Sequence, residues 1–128
     1  MHKLLNRRSG GVLLHPSSLP SEGYSGDFGA NARRFVDYIA DAGLGIWQVL
    51  PLGPTHPDGC PYQSFSAHAG NPDLIDLHWL AERGWLSAAQ ASELSADPVH
   101  KRRGLDLACR AFTEELEATP AAAMAKAY

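Results

Sequence analysis

The sequence predicts an α/β fold built around one βαβ unit, and three features support this prediction. Two short apolar runs, Val12–His15 and Ile46–Leu50, each stop at a proline. A segment of helical periodicity lies between them. An apolar run with few polar interruptions is typical of a strand buried on both faces of a parallel sheet. A strand, a helix and a second strand in this order form a unit whose crossover is nearly always right-handed.

The composition is that of one small globular domain. The 128 residues are 45% apolar, which allows a real core. A net charge of -3 gives no field to hold a phosphate backbone, so we expect no nucleic acid partner. No apolar run is long enough to span a membrane, so we expect no membrane partner. Cys60 and Cys109 are isolated, which favours reduced thiols in a cytoplasmic protein over a disulfide.

The segment after the first strand predicts a helix over 31–42. Asp27 or Asn31 supplies the expected N-terminal cap, and Gly43 the left-handed C-terminal cap. Its apolar face is predicted to hold Phe35, Val36, Ile39 and Ala40.

The chain beyond Leu74 is predicted to be helical. Gly84 ends a first helix, Ser87 and Gln90 have the spacing of a capping box, and Asp97 precedes a proline suited to a first helical position. The predicted helices are 76–83, one starting at Ser87, 98–118 and 121–128. The apolar stripe of the third comprises Leu105, Ala108, Phe112 and Leu116.

Two long loops, Pro16–Gly26 and Pro51–Pro72, leave from the C-terminal ends of the two strands. Ligand sites of open α/β sheets and barrels lie at this end. The second loop is rich in prolines and aromatic residues, a poor composition for disorder, so we expect it to be folded and functional. A dinucleotide site is excluded because the glycines of 23–29 lack the GxGxxG spacing.

Most polar residues in these regions have a structural interpretation. Asp73 and Asp76 resemble an acid–base pair but fit a turn and a helix cap better. The histidines show no metal-site spacing, so no metal is expected, and no GxSxG elbow points to a serine hydrolase. His15 fits a ligand contact and a hydrogen bond to loop backbone equally well. Tyr62, after Pro61, offers a flat face suited to a sugar ring, or alternatively pins its own loop.

Four ordered motifs carry a resemblance to a known family. They are LLHPSSLP, GDFGANARRFVDYIADAG, WQVLPLGPT and PYQSFSAHAGNPDLID, and they fall between Ser9 and Leu86. Together they resemble the N-terminal part of the 4-α-glucanotransferases, or amylomaltases. The resemblance implies a (β/α)8 TIM-type barrel with a helical insertion, and retaining transfer of α-1,4-glucan segments between maltooligosaccharides. It implies no cofactor.

The resemblance also implies substrate-binding residues. Tyr62 of the PYQ motif matches the tyrosine that stacks on the glucose ring where the bond is cut. Cys60 stands where the family commonly has a serine that lines the donor subsites, and it is a poorer hydrogen-bond donor. Gln63 of the same motif and Asn71 of the GNPD segment complete the predicted set. His56 and Pro57 replace a glycine and an aromatic residue, which puts a secondary glucan contact in doubt.

The resemblance places the catalytic carboxylates on later barrel strands, so no catalytic residue is expected in this chain. A retaining mechanism needs two carboxyl groups roughly 5 Å apart. We therefore interpret the chain as an N-terminal fragment, with residues 1–75 as the first βαβ unit and 76–128 as a truncated helical insertion. An α-glucan hydrolase of the same clan and a non-catalytic glucan-binding module are the alternatives.

Overall fold

The computed structural model describes residues 8–66 and 68–118. Its elements in chain order are β1 (Gly11–Leu13), a 3₁₀ helix (Pro16–Ser18), α1 (Ala30–Asp41), β2 (Ile46–Gln48), a second 3₁₀ helix (Pro72–Leu74), α2 (Leu77–Glu82), α3 (Ala88–Leu94) and α4 (Pro98–Ala118). The chain divides into two compact units. The described residues of the first lie in 8–21 and 25–75, and those of the second in 22–24 and 76–118.

The first unit contains the predicted βαβ arrangement. Strands β1 and β2 pair in parallel, with Val12 opposite Trp47. The Leu14 N–H donates to the Gln48 carbonyl at 3.0 Å and extends the pairing by one bond. The C-terminal ends of both strands therefore lie at one edge, and both long loops leave from it.

Each strand is shorter than predicted and more exposed. β1 ends at Leu13 because His15 caps the following 3₁₀ helix, and β2 ends at Gln48, three residues before Pro51. The side chains of Leu13 and Ile46 are 53% and 40% exposed. The prediction that both faces are buried is wrong for the described residues, because a two-stranded sheet has too few neighbours to cover both faces.

Helix α1 starts one residue earlier than predicted, and its N-cap is Gly29, so both predicted N-terminal caps, Asp27 and Asn31, are wrong. Asp27 instead accepts from the Gly29 N–H at 3.0 Å, and the Asn31 amide donates to the Pro20 carbonyl at 2.8 Å. Gly43 has φ 76°, as its predicted capping role requires.

The apolar face of α1 also differs from the prediction. The buried residues of the helix are Ala32 and Ile39, whereas Val36 is 45% exposed and Ala40 is exposed. The predicted face is therefore confirmed at Ile39 and at half-buried Phe35, and it is wrong at Val36 and Ala40.

The second unit has a hydrophobic core of its own. Its buried members come from α2, α3, α4 and the α2–α3 connection: Leu77, Leu80, Leu86, Ala91, Leu94 and Ala108. Leu77 is fully buried, and a Cβ on Gly104 of α4 would lie 2.8 Å from its Cδ1, so the missing side chain lets the two helices approach.

The capping residues predicted for the starts of these helices are confirmed. Asp76 accepts from the His78 N–H at 2.9 Å, and Ser87 and Gln90 form the predicted capping box. α4 has the predicted bounds, with Asp97 accepting from the Val99 and His100 amides. Its stripe is only half buried, because Phe112 and Leu116 are exposed. The predicted helix over 121–128 lies outside the described residues.

Candidate functional site

The loop between β2 and the second 3₁₀ helix, residues 49–71, is here called the β2 loop. Thr55 and Ser64 form an antiparallel bridge, and the Phe65 N–H donates to the Pro54 carbonyl at 3.0 Å. At the base of the loop, the Asn71 N–H donates to the Leu52 carbonyl at 2.8 Å. A loop with these internal bonds is folded, as its composition predicted.

Gly53 is the tightest point of the β2 loop. A Cβ at this position would lie 2.1 Å from the Ser64 Oγ and 2.6 Å from the Ser66 carbonyl oxygen. The same Oγ lies 2.8 Å from that Ser66 oxygen and donates a hydrogen bond within the loop. The two arms of the loop touch here, and only a residue without a side chain allows this contact.

Tyr62 lies at the tip of the β2 loop with 74% of its surface exposed. A tight turn precedes it, in which Gly59 has φ 71° and Asp58 accepts from the Cys60 N–H at 3.1 Å. The Gln63 N–H donates to the Cys60 carbonyl at 3.1 Å and closes the next turn. The backbone around Tyr62 is thus held on both sides while its ring faces solvent.

A pair of neighbouring rings connects the two arms of the β2 loop. The His56 imidazole and the Phe65 ring lie 3.9 Å apart between centroids, inclined at 44°. His56 is one of the residues at which the chain departs from the family pattern. The contact therefore gives this residue a structural role within the loop.

An open groove of about 510 Å³ lies along the β2 loop. Its lining includes Pro51, Gly53, Tyr62, Ser64, Ser66 and Gly70. Hydroxyl groups, backbone and one aromatic face are the groups that a sugar ring with its hydroxyls and apolar faces requires. The groove thus combines polar groups with one exposed aromatic ring.

The other three predicted substrate-binding residues do not line this groove. Cys60 is half-buried in the turn before Tyr62, and Gln63 is exposed beside it. Asn71 caps the second 3₁₀ helix, where its Oδ1 accepts from the Asp73 N–H at 2.9 Å. Their substrate contacts therefore stay predictions.

His15 lies at the other loop of the same edge, and its side chain is almost fully buried. Its Nδ1 accepts from the Ser17 N–H at 3.3 Å and lies 2.7 Å from the Ser17 Oγ. The predicted hydrogen bond to loop backbone is therefore confirmed. Burial lowers the pKa of His15, and the backbone carbonyl of Pro51 partly offsets this by raising it.

Trp47 of β2 links the C-terminal ends of the two strands through its side chain. Its Nε1–H donates to the Leu14 carbonyl at 2.8 Å, and the Phe35 ring of α1 packs edge-on against it at 5.1 Å. The Phe28 ring lies 6.3 Å away. The indole thus contacts α1 and the residue that follows β1. The position of Trp47 in an apolar run did not predict these contacts.

The acidic residues that were weighed as an acid–base pair lie in local structural elements. Asp76 is a helix cap, and Asp73 lies in the second 3₁₀ helix. Within 8–66 and 68–118, no three His, Cys, Asp or Glu side chains are grouped to hold a metal ion. No helix of those residues combines the length and apolar character that crossing a membrane requires.

Fold and loop together define an α/β protein with an ordered loop and an open groove at the C-terminal edge of its parallel strands. The family model described as 4-alpha-glucanotransferase, glycoside hydrolase family 77, matches residues 14–127. The chain therefore belongs to the 4-alpha-glucanotransferase family.

Curated relatives agree with this assignment. The chain is 57% identical over 79 residues to a 4-alpha-glucanotransferase of Thermus thermophilus, an alignment that covers 62% of this chain and 16% of the relative. The Synechocystis enzyme is 52% identical over 83 residues, 65% and 16% of the two chains. The potato chloroplastic enzyme is 41% identical over 100 residues, 74% and 17%. The chain thus spans about a sixth of the length of these relatives.

A solved structure supports the fold. The amylomaltase of Streptococcus agalactiae, determined in complex with acarbose, superposes with a TM-score of 0.78 at 34% identity. The superposition covers 92% of this chain and 25% of the other. The predicted fold class, an N-terminal part of a TIM-type barrel with helices, is confirmed.

Proposed function

We propose that this chain is part of a 4-α-glucanotransferase that transfers α-1,4-glucan segments between maltooligosaccharides. The match of the family model to residues 14–127 carries the proposal. The proposed reaction retains anomeric configuration through a covalent glycosyl-enzyme, which needs a carboxylate nucleophile and a carboxylic acid. We assign both groups to other barrel strands, because the resemblance places the catalytic carboxylates there and Asp76 and Asp97 of this chain cap helices.

Within this reaction, the β2 loop presents the substrate to the catalytic groups. Tyr62 stacks on the glucose ring next to the bond that is cut, and its exposed ring on a hydrogen-bonded loop supports this role. Cys60, Gln63 and Asn71 are proposed as further contacts to the glucan. The acarbose of the Streptococcus agalactiae complex supports α-glucans as the ligand class.

The second unit is proposed to be a helical insertion of the barrel. Its own hydrophobic core supports this assignment, because an insertion must fold without strands from the barrel. We place the enzyme in cytoplasmic carbohydrate metabolism, and the free thiols of Cys60 and Cys109 suit a reducing compartment.

Incubation of maltotriose with the full-length enzyme that contains this chain tests the reaction. A transferase produces glucose together with maltooligosaccharides longer than maltotriose. An α-glucan hydrolase of the same clan produces only shorter sugars. Chromatography of the products over time distinguishes the two, and absence of longer sugars would refute the proposal.

Substitution of Tyr62 tests the site. Tyr62→Ala removes a stacking face worth about 0.5–1.5 kcal/mol and the positioning that it provides, so transfer should fall by at least roughly tenfold. Tyr38→Ala is the matched control, because Tyr38 is 69% exposed on α1 and lines no part of the groove. Wild-type turnover in Tyr62→Ala would contradict the assignment.

A further inference from the structure

The side-chain hydroxyl of Ser64 contacts backbone on both arms of the β2 loop, which comprise residues 51–56 and 64–66. Its Oγ lies 3.1 Å from the Pro54 carbonyl oxygen on the first arm and 2.8 Å from the Ser66 carbonyl oxygen on the second. A hydroxyl has one proton, so the two carbonyls share a single donor in a three-centre arrangement. The Ser66 N–H in turn donates to this Oγ at 3.3 Å. One half-buried side chain thus binds backbone groups of both arms.

The backbone around Ser64 holds the same two arms together. Thr55 and Ser64 form the antiparallel bridge, and the next residue, Phe65, donates its N–H to the Pro54 carbonyl at 3.0 Å. The first arm passes so close to Ser64 that a Cβ on Gly53 would lie 2.1 Å from its Oγ. The separation of the two arms is therefore set at Ser64.

Tyr62 is attached to the second arm two residues before Ser64. Both side chains line the open groove, to which the first arm contributes Pro51 and Gly53. The Tyr62 side chain is 74% exposed, so packing within the loop does little to hold its ring in place. A shift of Ser64 relative to the first arm would therefore move Tyr62 relative to the groove lining that the first arm contributes.

We propose that Ser64 is a positioning residue, whose hydroxyl ties the two arms of the β2 loop and so holds Tyr62 against the glucose ring next to the bond that is cut. This inference deepens the proposed transferase function and rests on it. A misplacement of about 1 Å can lower the rate about a hundredfold, because the reacting atoms leave their near-attack geometry. The effect of Ser64 on the reaction is indirect and passes through Tyr62.

Removal of the hydroxyl tests the positioning role. In the full-length enzyme with maltotriose, Ser64→Ala should lower kcat about tenfold with less than about threefold change in KM, because the stacking face stays present but is misplaced. Ser92→Ala is the matched control and should leave kcat unchanged, because Ser92 is exposed on α3 in the helical unit. Wild-type kcat in Ser64→Ala overturns the proposal, and so does a loss that lies in KM alone.

A double-mutant cycle tests whether Ser64 acts through Tyr62. Residues that act together have non-additive effects. In the Tyr62→Ala background, Ser64→Ala should therefore lower kcat by less than about twofold further. A further loss as large as that in the wild-type background would show that Ser64 acts independently of Tyr62 and would overturn the proposal.

A second pair of variants keeps the proposal testable if Ser64→Ala does not fold. Ser64→Thr and Ser64→Val introduce side chains of nearly the same shape, and only threonine has the hydroxyl. Ser64→Thr should have a kcat at least about fivefold higher than that of Ser64→Val. Equal kcat values in these two variants overturn the positioning role. A wild-type enzyme that produces no maltooligosaccharide longer than maltotriose refutes the proposed function instead, so the two failures are distinguishable.

Discussion

The two units of the chain are stabilised by different means. Among the described residues, the second unit buries six apolar side chains in one contiguous core formed by three helices and the α2–α3 connection. The first unit buries only four apolar side chains among its described residues, Leu19, Ala32, Ile39 and Leu74, and its two-stranded sheet leaves Leu13 and Ile46 exposed. Burial stabilises a unit independently of its surroundings, whereas an incomplete sheet leaves apolar edges for further strands. We infer that the helical unit is the more stable one in isolation and that the strand unit depends on barrel neighbours.

The largest expected effect is in the helical core. Leu77→Ala removes a side chain that is fully buried, so the free energy of unfolding of this unit should fall by about 2–5 kcal/mol. Leu116→Ala, at a leucine of α4 that is 52% exposed, is the control and should change it by less than about 0.5 kcal/mol. Urea unfolding followed by circular dichroism measures both. Equal effects at the two leucines would mean that the helical core is not formed.

A smaller effect is expected in the β2 loop. Gly53→Ala places a methyl group 2.1 Å from the Ser64 Oγ. Overpacking of this kind typically lowers the free energy of unfolding by about 1–3 kcal/mol. The loop should shift, so NMR shifts of Thr55 and Phe65 should change. Gly70→Ala is the matched control, since nothing lies within 4 Å of its Cβ position. A silent Gly53→Ala would show that the two arms of the loop do not touch.

The pH dependence should be the smallest effect, and it concerns the first unit. Because burial lowers the pKa of His15, the unfolded state binds a proton more tightly than the folded state. Stability should be greatest above the ordinary histidine pKa of 6.5, decline as the pH falls from there through the folded pKa, and then level off. Amide exchange of β1 and β2 measured between about pH 7 and pH 4 detects this decline. His15→Gln should reduce the slope, and an identical slope in that variant would assign it to other groups.

Local sequence signals predicted the helices better than the sheet. The capping box at Ser87 and Gln90, the cap at Asp76 and the bounds of α4 each depend on residues a few positions apart, so the sequence contains all that determines them. The burial of a strand depends on neighbours that the strand itself does not specify. An apolar run therefore predicted β1 and β2 but not the exposure of Leu13 and Ile46.

In the candidate site too, local features were predicted from the sequence and long-range contacts were not. Tyr62 was predicted from its motif and a preceding proline, and it lies at an exposed loop tip beside a groove. The contact of Gly53 with Ser64, and the hydrogen bond from the Trp47 indole to the Leu14 carbonyl, join residues that are distant in sequence. No pattern of spacing indicates such contacts. A histidine followed by Pro-Ser after a strand was the only signal available for the cap at His15.

Hydrogen exchange of the chain Met1–Tyr128, read by mass spectrometry, tests the central contrast most directly. Amides of α2, α3 and the part of α4 around Ala108 should exchange slowly, at rates set by cooperative opening of the helical core. Amides of β1 and β2 should exchange much faster. Equal protection in both units, or slower exchange in the strands than in the helical core, would contradict the conclusion that the helical unit is the more stable one.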